Sequence, residues 1–258
     1  IRKAAVAGMF YPADETELRE TVDQFLAAAP SLSAKPKALI VPHAGYIYSG
    51  AVAARAYKAV EPEADWIERV VLLGPAHRVA IDGLALSSAD YFATPIGMIP
   101  LDRETARGLL LLPQVRIFDE AHALEHSLEV QLPFLQRVLN SFTLIPLVVG
   151  DTSADAVVEV IEQVWGGPET LIVVSSDLSH YHDYATAQRL DEATCRAIET
   201  LHPEAIGHHD ACGHIPVQGL LEAARHHGLR ATTLDLRNSG DTAGPRDQVV
   251  GYGAWIFE

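Results

Sequence analysis

One recurring unit restricts the fold more than any other feature: a short apolar run that ends in polar residues and is followed by a helical pattern. "KALIVPHAG" precedes the alanine-rich "SGAVAARAYKAV". "RVVLLGPAHRV" repeats the arrangement, with a strand expected over Val70 to Leu73 and Gly74-Pro75 breaking it before His77. "FTLIPLVVGD" and "TLIVVSSDLSHY" are two more such runs, followed by helical patterns over Ser153 to Trp165 and Ala185 to Leu201. Repeated β-loop-α units place strands between helices. The expected architecture is a three-layer α/β/α sandwich with a central mixed sheet. "GLALSSADYFATPIGMIP" reads as a hairpin insertion, and "ATTLDLRNSGD" and "VVGYGAWIFE" as two late strands. With no repeat or linker-like tract, one domain over 1–258 is expected.

Composition narrows the function classes. The chain has 19 Lys and Arg against 34 Asp and Glu, a net charge of −15. That balance offers no basic stripe to a nucleic acid. No segment approaches the roughly 20 apolar residues of a membrane helix, and no signal peptide is evident. Cys195 and Cys212 are too few for a disulfide framework, so a reducing cytoplasm is the expected location.

In open α/β sheets, ligands collect beyond the carboxyl ends of the strands. His43, His77, Asp177 and His180 all follow such ends. His43 and His77 supply two imidazoles, and a catalytic metal needs about three protein ligands. Cys212, just before a helix expected over Ile215 to His227, is the best third donor, because a helix start favours the thiolate. Glu129 or Asp177 are the carboxylate alternatives. Cys195, mid-helix, reads as packing. His180 reads as an acid/base group with Asp177 orienting it. His126 stands between a role at the site and helix capping, with His122 beside it. His202, His208, His209, His226 and His227 read as solvated surface. Ser175, Ser176 and Ser179 lack the Gly-x-Ser-x-Gly elbow of a serine hydrolase.

"AGMFYP", "PHAGYIYSG", "LLGPAHRV", "EHSLEVQLPFL", "SSDLSHY", "ACGHIPV" and "GYGA" occur in the order of the blocks of the Memo family, which the chain resembles over nearly its whole length. The resemblance implies a fold similar to class III extradiol ring-cleavage dioxygenases. It implies an iron or copper site with metal contacts at His43, His77 and Cys212, and an acid/base role at His180. It also implies phosphotyrosine-peptide recognition in animal members, and radical-SAM and AMMECR-type partner proteins in microbial ones. Cys212 stands where the dioxygenases use a carboxylate, and a thiolate shifts metal preference toward copper(I), zinc or electron-rich iron. His214 adds a nitrogen of unassigned role. Two classes remain open: a non-haem iron or copper redox enzyme acting on a small molecule, and a non-catalytic protein that binds a peptide or partner or handles metal. A metal-dependent hydrolase ranks behind both.

Overall fold

The computed structural model describes residues 1–258. Helix α1 (Glu15–Ala28) is capped by Asp14, whose side chain accepts from Glu17 N, and leads to strand β1 (Ala38–Val41). Helix α2 (Tyr46–Val60) and β2 (Arg69–Pro75) follow. A less regular stretch holds β3 (Leu84–Leu86), β4 (Tyr91–Thr94), β5 (Gly97–Pro100), α3 (Arg103–Leu109), β6 (Val115–Ile117), α4 (Asp119–Ala123) and α5 (Leu132–Val138). Regular alternation resumes with β7 (Thr143–Val149), α6 (Ala154–Gln163), β8 (Thr170–Ser175), the short β9 (His180–His182) and α7 (Tyr184–Glu199). Helix α8 (His214–His226), β10 (Ala231–Asn238) and β11 (Val249–Phe257) complete the chain.

The main sheet has the order β10-β11-β1-β8-β2-β7-β3-β6, with β9 paired to β11. Strands β1, β8, β2 and β7 are parallel, whereas β11 joins β1, and β3 joins β7, in antiparallel fashion. The sheet is therefore mixed. Alternate residues of each central strand enter opposite cores: Leu39, Val41, Val70 and Leu72 pack with α1, α2 and α5, while Ile40, Val71 and Leu73 pack with α6, α7 and α8. Burial on both faces explains why these strands read as continuous apolar runs. Helices flank the sheet on both sides, as a three-layer sandwich requires. No helix is long and apolar enough to cross a membrane.

Two local expectations change. Strand β2 does not break at Gly74-Pro75, because Gly74 pairs with Val148 and Pro75 with Val149. Gly74 is instead a close approach, where a Cβ would meet Ser127 Oγ at 2.9 Å. The expected hairpin contains only β4 and β5; Leu84 to Leu86 belong to the main sheet between β7 and β6.

Candidate metal centre

His43 lies two residues beyond β1, and His77 two beyond β2. Since β1, β8 and β2 run parallel, both imidazoles reach the same carboxyl edge of the sheet. His126 comes from the turn between α4 and α5. One ligand nitrogen from each of His43, His77 and His126 lies within 4.8 Å of the other two. Their ring centroids are 5.1 Å apart for His43 and His77, 5.4 Å for His43 and His126, and 4.7 Å for His77 and His126.

Hydrogen bonds fix two of the tautomers. Ser175 Oγ donates its single hydrogen to Ser127 O at 2.6 Å and accepts from Gln131 Nε2 at 2.8 Å. His43 Nδ1, 2.9 Å from the same Oγ, must then be the donor, leaving Nε2 as an acceptor with Cys212 Sγ 3.4 Å away. His77 Nδ1 is 2.9 Å from Glu125 Oε1. Burial would push the Glu125 carboxyl up, but hydrogen bonds from His77 hold it down at about 2. Glu125 is thus an acceptor only, and His77 also presents Nε2.

Burial, then the neighbouring His77, lowers His43 to about 3; burial, then His43, lowers His126 to about 4. Both are neutral at ordinary pH and able to ligate. Nδ1 of His126 is buried without a hydrogen-bond partner, since Glu125 Oε1 at 3.3 Å is outside hydrogen-bonding geometry. An orphaned buried nitrogen beside two further imidazoles fits a cation.

Cys212 Sγ is 3.4 Å from His43 Nε2 and accepts from Asp177 N at 3.3 Å. The expectation that the following helix stabilises a thiolate is reversed in this state. Burial, then the Asp177 carboxylate, pushes the thiol up to about 12. Asp177 Oδ1 accepts from His43 N at 2.7 Å, and burial raises its carboxyl above the usual range. Asp177 therefore orients the loop that carries His43. Its Oδ2 is 4.0 Å from His43 Nε2.

These groups face a cavity of about 500 Å³. Seven imidazoles line it: His43, His77, His126, His180, His182, His208 and His209. His180 Nδ1 donates to Leu178 O at 2.7 Å, which leaves Nε2 as an acceptor. Consecutive residues of β9 would normally alternate sides, yet His180, Tyr181 and His182 all line the cavity. Tyr181 has φ +62°, and the pairing with β11 shifts register between Val249 and Val250, which breaks the alternation.

Several sequence expectations are corrected. Glu129 is far from being a ligand, because its oxygens accept from Arg2 Nη1, Ala5 N, Val6 N and Tyr11 Oη. It ties the amino-terminal segment to the fold. Glu125, four residues earlier, is the carboxylate at the site and went unmarked. Its signal was adjacency to His126 in "LEHSLEV". His208 and His209 are exposed, as expected of surface residues, yet they also line the cavity. The loop that delivers Cys212 brings them with it. His202, His226 and His227 lie outside that lining, and His122 is buried with Nε2 on Ala85 O. Ser175 Oγ is committed to Ser127 O and His43, not to a substrate. Cys195 is buried on α7, 3.3 Å from Thr233 Oγ1, and both cysteines are free thiols.

With this geometry in place, comparison with known proteins is informative. The family described as Memo-like protein matches residues 2–256. A MEMO1 family protein of Aquifex aeolicus is 39% identical over 100% of this chain and 99% of its own length. Another from Methanosarcina acetivorans is 37% identical, covering 100% and 99% respectively. The crystal structure of an uncharacterized Escherichia coli protein is similar in fold alone: TM-score 0.59, 14% identity, 85% of this chain and 98% of that one. A match running from end to end, over the segments that carry His43, His77, His126 and Cys212, shows that the chain belongs to the Memo family.

Proposed function

We propose that the chain is a metal-dependent redox protein of the non-haem iron type, acting on a small organic substrate. His43, His77 and Cys212 would hold the ion, with His126 as a further donor. The observation that carries this reading is the convergence of three imidazoles, each with a ring nitrogen within 4.8 Å of the others, beside a thiol 3.4 Å from one of them. Iron(II) is favoured; the thiol makes copper or zinc the competitors. When bound, such an ion supplies Lewis acidity and one-electron chemistry.

The chain's own groups supply the rest. Glu125 and Ser175 hold His77 and His43 in the Nε2-presenting tautomers. Cys212 would have to give up its thiol proton to serve as a ligand. His180, with Nδ1 anchored on Leu178 O, lines the cavity with Nε2 left to accept a substrate proton. The Phe10 ring packs against that of His126, with centroids 4.8 Å apart.

The test is anaerobic purification without a histidine tag, followed by metal analysis and reconstitution with iron(II), copper(I) and zinc. One ion per chain, lost in His43→Ala and His77→Ala and retained in His180→Ala, is the expected result. Loss of the ion in His180→Ala would make His180 a ligand. Stoichiometric metal without oxygen consumption toward any small molecule would favour a metal-handling or partner-binding protein.

A further inference from the structure

A second, larger cavity of about 750 Å³ adjoins the histidine-lined one. The two share His77, Arg78, His208 and Cys212, so the imidazoles of His77 and His208 stand where they meet. The outer cavity sits past the carboxyl ends of β2 and β7, at Pro75 and Val149, with the first turn of α8 as one wall. In a mixed α/β sheet, that edge is where ligands bind. Its volume far exceeds that of a bare ion and suits an organic molecule.

Its charges are unusual for a chain of net charge −15. Arg78 and Arg116 both line it and are exposed, and neither guanidinium has a carboxylate within ion-pairing distance. Arg116 lies over the Phe118 ring at 5.3 Å, which restrains its stem on the β6 side. Asp82 and Asp151, bridged to each other through their backbones, line the same cavity without pairing to either arginine. Two free guanidiniums suit a carboxylate or phosphate. The two carboxylates nearby disfavour a polyanion.

We propose that the outer cavity holds the anionic end of the small-molecule substrate, a single carboxylate or phosphate gripped by Arg78 and Arg116, with the rest of the molecule directed past His77 toward the three histidines. Only the role of the inner end rests on the metal-centre reading. The gripping of the anion does not.

The experiment uses the metal-free full chain and follows the imidazole C2–H resonances of His77 and His208 by NMR. The probes are benzoate, phenylphosphonate and neutral benzyl alcohol. Saturable shifts with at least one anion, and none with the alcohol, are expected; comparing the two anions separates carboxylate from phosphate. Arg78→Gln with Arg116→Gln, both at exposed positions, should weaken binding by about tenfold or more. Asp82→Asn should not weaken it. The proposal is overturned if no anion saturates, if the alcohol binds as well, or if the double variant binds like wild type. Iron(II) titration of both wild type and the double variant separates the two readings: Arg-dependent anion binding in a wild type without any metal affinity would retain the anion pocket and remove the metal centre.

Discussion

Glu125 grips both ends of His77: Oε1 is 2.9 Å from Nδ1, and Oε2 is 2.6 Å from the backbone nitrogen. The same Oε1 also accepts from the backbone nitrogens of His126 and Ser127, each at 2.9 Å. One buried carboxylate therefore sets the tautomer of one imidazole and the backbone path of another. The geometry at the carboxyl edge depends on it as well as on the imidazoles themselves.

Glu125→Gln keeps the volume but offers one acceptor oxygen where two are used. Metal affinity should fall by about 10- to 100-fold, the usual cost of losing an outer partner of a ligating histidine. A chelator-competition titration of folded protein measures this. Wild-type affinity in the variant would show that His77 needs no fixed tautomer.

Glu129→Ala should have the opposite profile. The change leaves Arg2 and Tyr11 without their carboxylate in a buried setting. Breaking one half of a buried pair costs about 3–5 kcal/mol. Urea unfolding should show that loss, while metal bound per folded chain stays unchanged. A selective loss of metal would return Glu129 to the ligand set.

The contrast between these two glutamates shows what the sequence made legible. Strands β1, β2, β7 and β8 were visible because burial on both faces writes an unbroken apolar run. His43, His77 and Cys212 were visible because each follows such a run or precedes a helix. A buried carboxylate has no such mark, since what separates Glu125 from Glu129 is the direction each takes out of one irregular turn. Helix α2 begins at Tyr46, before the expected Ser49, because the Tyr46 side chain is buried with its hydroxyl on Val130 O. His208 and His209 read as surface and are exposed, but their place in the cavity wall was not legible for a related reason: a wall made by a returning loop is defined by tertiary contact, not by local pattern.

Asp191 on α7 supplies a pH test beside the histidine-lined cavity, next to His182 and the Ser179 turn. It is 3% exposed, accepts from Ser179 N at 3.0 Å, and packs so closely on Gly251 that a Cβ there would meet Oδ2 at 2.1 Å. Burial raises its carboxyl to about 6, against the Ser179 hydrogen bond and the His182 charge, which lower it, and with the Asp210 charge, which adds to the rise. The folded-state value lies above the unfolded one of about 3.9, so the folded chain holds the proton more tightly. The resulting stability is complete below about pH 4 and is lost as pH rises through about 6. A two-unit shift corresponds to about 3 kcal/mol. Asp191→Asn keeps the acceptor without the charge and should flatten this slope in urea unfolding. It should match wild type near pH 4 and exceed it above about pH 7. Parallel curves for both proteins would remove Asp191 as the source.

Cys212 gives the sharpest test of the metal centre, because its protonation and its ligation compete. Without an ion the thiol is held at about 12 by burial and by the adjacent Asp177 carboxylate, so it is protonated throughout the physiological range. His43 at about 3 and His126 at about 4 are already neutral there. An ion bound through Cys212 must then displace one thiol proton, since only the thiolate is a good ligand. Affinity should rise about tenfold per pH unit between about pH 7.5 and 9, with one proton released per ion. Cys212→Ser should bind more weakly and lose that slope, whereas Cys195→Ser should keep it. Chelator competition at several pH values, with proton release followed in weakly buffered solution, measures both quantities. A wild-type affinity independent of pH would show that the thiol stays protonated, leaving the ion to His43, His77 and His126.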